Sequence, residues 1–243
     1  MPQRGVDEDA SRRALELLGQ CSGPRGDGYV PLQSTPYRGH HLLAEAVLAN
    51  TGPGDRVFEG GVSSGYFAEL LVAAGRRVDG IELDPVAATS AARVCERVLV
   101  GDLQQIDVDD LDGPYQVLLF GDTLEHIADP VSVLRSLRTK LRHDGVLVVS
   151  IPNVANWAVR LGLLFGRFCY TERGILDRTH LRFYTHRTVV EMLELSGFQV
   201  CRLVGTIPVP LVRSKRLCDI AHRIGNLRPS LFAYTFVVTA RVA

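Results

Sequence analysis

The feature that most constrains the fold is an alternation. Between residues 39 and 150, short apolar runs and segments of helical periodicity follow one another, separated by glycine, proline or aspartate. Two of the runs, Val117-Leu118-Leu119-Phe120 and Val146-Leu147-Val148-Val149, contain no polar residue. A strand with one face in water would alternate, so these runs predict strands covered on both faces. Alternation with helices then predicts a parallel sheet with crossover helices.

Local chemistry marks the element ends. Pro85 and Pro130 suit a first helical turn, Asp129 suits the cap before the second, and Gly75 and Gly197 suit helix stops. The reading places strands at Val57-Phe58 and at residues 77–83, 97–100, 117–120, 146–149, 198–204 and 234–242. Helices are expected near 41–49, through Phe67, Leu70, Leu71 and Ala74, at 85–95, from 130 to about 142, and at 188–196; His143-Asp144-Gly145 is read as a turn. The expected class is α/β: a Rossmann-like seven-stranded, mostly parallel sheet with helices on both faces, its last strand antiparallel, plus a lid insertion.

The chain has 243 residues, 46% of them hydrophobic, enough for one large domain with insertions. We expect an N-terminal helical extension over 1–36 and a main domain over 37–243, with a lid at about 153–184 and a basic insertion at about 205–230. Residues 155–170 are apolar nearly all round and are read as core packing, with a hydrophobic acceptor, a homodimer contact or membrane-surface docking as other uses. Arg213, Lys215, Arg216, Arg223 and Arg228, set against Asp219, are read as a solvated face.

Basic and acidic residues balance at 27 each, so no global field exists to hold a polyanion; DNA is not an expected partner and RNA is disfavoured. Five cysteines form no CxxC pair, which fits a reducing compartment and gives no zinc site. Residues 1–10 are polar, and no apolar run approaches the ~20 residues that cross a bilayer. The expectation is a cytoplasmic protein without a transmembrane segment.

Glu59-Gly60-Gly61-Val62-Ser63-Ser64-Gly65 joins the first strand to a helix. Small residues there let a ligand approach the backbone, and a helix N-terminus offers amide donors. Glu82, at the end of the second strand, can accept both hydroxyls of a ribose. Asp102, at the end of the third, can accept from an adenine amine. Three strand ends thus converge on one nucleoside. A nicotinamide dehydrogenase would use similar geometry, but G-x-G-x-x-G cannot be laid on residues 60–65 and no Tyr-x-x-x-Lys exists. Of the two lysines, Lys140 and Lys215, the first falls on a predicted surface helix.

These segments resemble class I S-adenosylmethionine (SAM)-dependent methyltransferases. Residues 59–65 resemble the family's acid-x-Gly-x-Gly-x-Gly turn, with Ser63 in place of the middle glycine. The likeness runs on through Gly80-Ile81-Glu82-Leu83-Asp84-Pro85, Gly101-Asp102-Leu103, Phe120-Gly121-Asp122-Thr123-Leu124-Glu125-His126 and residues 141–153, covering 37–204 in order. It implies SAM as cofactor, with Glu59, Gly60, Gly61, Ser63 and Gly65 around the methionine end. It also implies Glu82 and Leu83 at the ribose, Asp102 and Leu103 at the adenine, and Gly121 and Asp122 near the sulfonium. Tyr37, His40 and His41 precede the first strand, where such enzymes often close over the methionine carboxylate.

Asp177-Arg178-Thr179-His180 in the lid is similar to a stretch found in bacterial methyltransferases of saccharide and natural-product pathways. His126 is the candidate general base, with Glu125 and His180 in support. Glu125, His126, Asp177 and His180 can bind sugar hydroxyls, or a divalent cation such as Mg2+ that grips a diol. The Asp/Asn-Pro-Pro-aromatic signature of nucleobase amine methylation is absent after the fourth strand. The expected activity is O-methylation of a small polar acceptor, a saccharide first. Methylation of an amine, natural-product or isoprenoid-type acceptor and a non-catalytic SAM-binding protein are the alternatives.

Overall fold

Val57, Phe58, Val117–Phe120 and Val146–Val149 are buried to the last ring and methyl. They belong to β1 (Arg56–Gly60), β4 (Tyr115–Gly121) and β5 (Leu141–Pro152), the centre of a sheet that also contains β2 (Arg77–Glu82), β3 (Arg97–Val100), β6 (Phe198–Gly205) and β7 (Thr235–Val242). The order is β3-β2-β1-β4-β5-β7-β6. β1 to β5 run parallel, whereas β7 pairs antiparallel with both β5 and β6. The expected seven-stranded sheet with an antiparallel last strand is therefore present. The computed structural model describes residues 8–21, 37–207 and 215–243.

Two apolar layers cover the sheet. On one side, α1 (Glu8–Cys21), α2 (Gly39–Leu48) and α3 (Tyr66–Ala73) pack through Leu18, Leu43, Val47, Phe67 and Leu71. On the other, α5 (Pro130–Leu137) and α7 (His186–Leu195) pack through Leu134, Leu137, Val189 and Leu193 onto Leu118, Phe120 and Phe236. α1 shares the first layer's core. α4 (Pro85–Ala91) connects β2 to β3. Asp84 and Asp129 cap α4 and α5, their carboxylates accepting from the amides of Val86 and Ser132.

Several boundaries differ from the sequence reading. α4 ends at Ala91 rather than Cys95, and α5 at Leu137, where a 3-10 turn over Arg138–Lys140 tightens the chain. Lys140 is half-buried there, donating to the Leu111 carbonyl at 3.1 Å. His143-Asp144-Gly145 does not precede β5. It lies inside it as a bulge, between the Tyr115–Leu141 and Val117–Val146 pairs. α7 starts at His186 because Thr185 and Thr188 form a reciprocal cap.

The lid departs furthest from expectation. α6 (Trp157–Leu164) is a helix with no buried residue, so the core-packing reading is wrong. Trp157 is 52%, Leu164 77% and the following Phe165 70% exposed. In the basic insertion, α8 (Lys215–Gly225) and α9 (Pro229–Phe232) lead into β7, and Arg216, Arg223 and Arg228 are exposed as a solvated face requires. Arg213 lies outside the described residues. No helix among the described residues is long and apolar enough to cross a membrane.

Candidate active site

The carboxyl ends of β1 and β4 diverge around a cavity of about 810 Å3, as expected at the switch point of an open α/β sheet. Glu59, Gly61, Ser63, Gly121, Asp122 and His126, all singled out from the sequence, are on its wall. So is His40. Thr123 holds the two strand ends together, its hydroxyl donating to the carbonyls of Gly60 (2.9 Å) and Gly121 (3.2 Å).

The glycine turn works differently from the expectation that it presents free amides. The amides of Gly61 and Val62 donate to the Ile81 carbonyl, that of Gly65 to Val62, and that of Ser63 to Glu82 Oε2 at 2.7 Å. What the turn offers a ligand is a surface without side chains. Gly61 has φ +75°, where a side chain is strained, and its Cβ would meet Thr123 at 3.1 Å. Gly60 is glycine for packing, because a Cβ would fall on the buried Phe120 ring, 2.6 Å from Cδ1. Gly65 likewise abuts Ala91 of α4.

Ser63 (φ 52°) and Asp122 (φ 50°) adopt left-handed backbone without being glycine, a cost that surrounding contacts must offset. Glu82 holds the first. Ser150 holds the second: the Asp122 amide donates to Ser150 Oγ, which donates to Asp122 Oδ1, both at 2.9 Å.

Glu59 is buried, and its Oε2 has no hydrogen-bond partner among the described residues. Burial, with the nearby charge of Glu82, pushes its carboxyl up to about 8. A buried, unpaired carboxylate on a cavity wall suits a cationic group such as the amine of a methionine moiety. Burial moves His40 in the opposite direction, below the usual imidazole range.

Glu82, Leu83, Asp102 and Leu103 occupy the ends of β2 and β3, along the same sheet edge but outside the cavity wall. Glu82 also accepts from the Asp84 amide at 3.0 Å. Asp102 accepts from the Gln104 amide at 2.9 Å and from Gln105 Nε2 at 3.2 Å. Leu83 is exposed, while the Leu103 side chain is in the core, leaving its backbone for a ligand.

Tyr37 is not on the cavity wall. Its ring stacks on His222 of α8 with centroids 4.1 Å apart, and its hydroxyl bonds Asp219. Burial and that bond push the phenol up to about 12, and burial lowers His222 to about 4. His41 Nδ1 accepts from the Tyr37 amide at 3.0 Å. Sequence spacing could not foresee that α8 would claim Tyr37. Arg38, Tyr66, Arg173 and Tyr234 line the cavity without having been singled out, since none falls in a recognised motif.

Glu125, His126 and His180 come together as anticipated. The His126 and His180 rings meet edge to face at 4.8 Å, and His180 Nε2 is 3.9 Å from Glu125 Oε1. Asp177 joins them indirectly: its carboxylate accepts from the amide (2.8 Å) and hydroxyl (2.7 Å) of Thr179. Glu125 is 1% exposed; burial first, then Asp122, raises its carboxyl well above the usual range. His180 is lowered by burial and by His126.

A family model described as "Methyltransferase domain" matches residues 34–203. The chain belongs to this family. A probable SAM-dependent methyltransferase of Mycolicibacterium smegmatis is 28% identical over 203 residues, 83% of this chain and 72% of that protein. A ubiquinone biosynthesis O-methyltransferase of Aeromonas salmonicida is 25% identical over 187 residues, 72% and 77% of the two chains. In fold, the magnesium protoporphyrin IX methyltransferase of Synechocystis with bound SAH superposes with a TM-score of 0.58 over 98% of each chain, at 18% identity. The chain is thus a class I SAM-dependent methyltransferase, and SAM is its cofactor. The residues present fit that cofactor: Glu59 offers a buried carboxyl with one unpartnered oxygen and Gly61 a bare backbone.

Proposed function

We propose that this methyltransferase acts on a hydroxyl of a small polar acceptor, a saccharide being the class that the arginines, histidines and Asp122 on its wall suit best. When bound, SAM supplies an electrophilic methyl on a sulfonium. The chain's part is to bind and orient the donor, align the acceptor oxygen in line with the methyl, and remove the hydroxyl proton. Glu59 and the glycine turn are assigned to the methionine end, Glu82 to the ribose, Asp102 and the Leu103 backbone to the adenine.

The observation that carries the reading is His126 on the cavity wall next to Asp122, with His180 and Glu125 behind it. His126 Nδ1 lies 3.2 Å from both the Thr179 carbonyl and the Thr179 hydroxyl, so Nε2 is left to take the acceptor's proton. Arg38 and Arg173 on the same wall suit an acceptor bearing acidic or hydroxyl groups.

The test is His126→Ala with turnover followed by mass spectrometry of products from labelled SAM and fractionated extract. Activity should fall by about 10²–10⁴-fold while SAM affinity stays unchanged. Wild-type turnover would remove His126 from the chemistry, and labelled RNA or protein would remove the acceptor class. SAM binding with no product on any fraction would favour a binding protein without turnover. An isoprenoid-type acceptor is the second reading, favoured by the exposed apolar face of α6.

A further inference from the structure

Glu125 poses a problem that proton transfer alone does not answer. Both of its carboxylate oxygens are buried, and neither has a hydrogen-bond partner among the described residues. Burial favours the neutral form of such a carboxyl, and a bound cation is the other way to satisfy oxygens that no protein group meets. Two imidazoles are near Glu125, with Asp122, Asp177 and Tyr184 also within electrostatic reach. Ligand atoms of Glu125, His126 and His180 all lie within 4.8 Å of one another.

The imidazoles are held as metal-ligating histidines usually are. His180 Nδ1 faces the Ile175 carbonyl at 3.2 Å, which leaves Nε2, the nitrogen facing Glu125, as the lone-pair donor. His126 Nδ1 faces the Thr179 carbonyl and hydroxyl, with Thr179 itself pinned by Asp177. Glu125 is fixed through its backbone, whose carbonyl accepts from the amides of Leu181 (2.9 Å) and Arg182 (3.1 Å) and so ties the strand-β4 side of the cluster to the lid.

We infer that Glu125, His126 and His180 form a site for a first-row divalent cation just behind the cavity wall, which His126 alone of the three reaches. Two imidazole nitrogens with one carboxylate suit Zn2+ or Mn2+ better than Mg2+, which prefers oxygen ligands. Tetrahedral bonds of about 2.0–2.1 Å would set donor atoms about 3.4 Å apart, so the cluster, with 3.9 Å between His180 and Glu125 and up to 4.8 Å across the set, must draw in by as much as about 1.4 Å to hold an ion. Three protein ligands leave coordination positions open for acceptor oxygens. The inference rests on reading this cavity as a hydroxyl-acceptor site, and in the loaded protein it makes His126 a ligand rather than the base.

The full chain, stripped with EDTA and dialysed, would be titrated with ZnCl2, MnCl2 and MgCl2 by calorimetry, and with CoCl2 by visible absorption. One equivalent of Zn2+ or Mn2+ is expected, tighter than Mg2+, with a cobalt d–d spectrum of nitrogen and oxygen ligands. Glu125→Gln and His180→Ala should each weaken it at least tenfold while SAM affinity, measured on the same samples, shows that the fold is intact. Absence of uptake, uptake equal in the variants, tighter Mg2+, or a cobalt–thiolate band from Cys169, Cys201 or Cys218 would overturn the site. Product formation by the EDTA-stripped chain that His126→Ala abolishes would overturn the cation while leaving the methyl-transfer reading standing.

Discussion

Glu82→Ala separates ligand binding from local architecture at one carboxylate. Glu82 Oε2 accepts from the Ser63 amide at 2.7 Å and Oε1 from the Asp84 amide at 3.0 Å. A carboxylate has about four lone-pair sites, so these bonds leave about two for a ribose diol. Hydrogen bonds to a charged group contribute about 1.5–3 kcal/mol each. Taking the low end because the site is only half-buried, loss of two bonds costs about 3 kcal/mol, or about a hundredfold in SAM Kd. The same change removes both of these bonds and releases Ser63 from its left-handed conformation, which at the same per-bond figure costs about 3 kcal/mol of folding stability, or roughly 6–12 °C in Tm. Calorimetric titration with SAM gives the first quantity and thermal melting the second. Glu82→Gln keeps one acceptor oxygen and should fall between the two. A Kd within threefold of wild type, accompanied by the drop in Tm, would show that Glu82 only ties the turn and would refute the ribose assignment.

Gly60→Ala should lower stability by about 1–3 kcal/mol and weaken SAM binding, because the new Cβ meets the fully buried Phe120 ring; an unchanged denaturation midpoint would contradict the packing account. Glu59, held up to about 8, is mostly protonated at pH 7, and pairing with a cationic amine must drive that proton off. SAM affinity is therefore expected to rise as pH increases from about 6 to about 8, with proton release at pH 7 detectable by calorimetry in buffers of different ionisation enthalpy, and Glu59→Gln should flatten the profile. A flat wild-type profile would dismiss Glu59 as the amine's partner. Tyr115→Phe removes a buried 3.0 Å bond to Asp79, which keeps its 2.5 Å pairing with Arg56; the expected cost is about 1–2 kcal/mol in urea denaturation with SAM binding intact.

The central strands were legible because burial on both faces leaves a chemical trace, an unbroken apolar run. The helix starts at Pro85 and Pro130 were legible because proline suits a first turn, and Asp129 because a cap needs an acceptor side chain at one position, whereas the Asp84 cap was not read. Glycine conformations at 61 and 65 could be anticipated from the motif, but left-handed Ser63 and Asp122 could not, since each depends on a distant partner, Glu82 or Ser150. The bulge at His143–Gly145 looked like a turn because turns and bulges recruit the same residues. α6 was misread because an all-round apolar helix normally means burial. The convergence of His126 and His180 followed from family likeness, whereas periodicity carried no sign of it. Tyr37 was lost to α8, a contact made across the whole length of the chain.

Asn153 and Asn156 at the root of α6 both donate to the Ala233 carbonyl at 2.9 Å, with further bonds to Ser230 and Phe232, and the Asn153 amide donates to the Tyr234 carbonyl at 2.9 Å. The lid's base and the approach to the last strand are therefore one mechanical block, although about 80 residues separate them in sequence. Anyone grafting a lid from a relative to change acceptor preference would transplant half of that block. A chimera that exchanges residues 153–184 alone is expected to strand two buried amide side chains, whereas one that also exchanges 226–235 carries its own clasp with it.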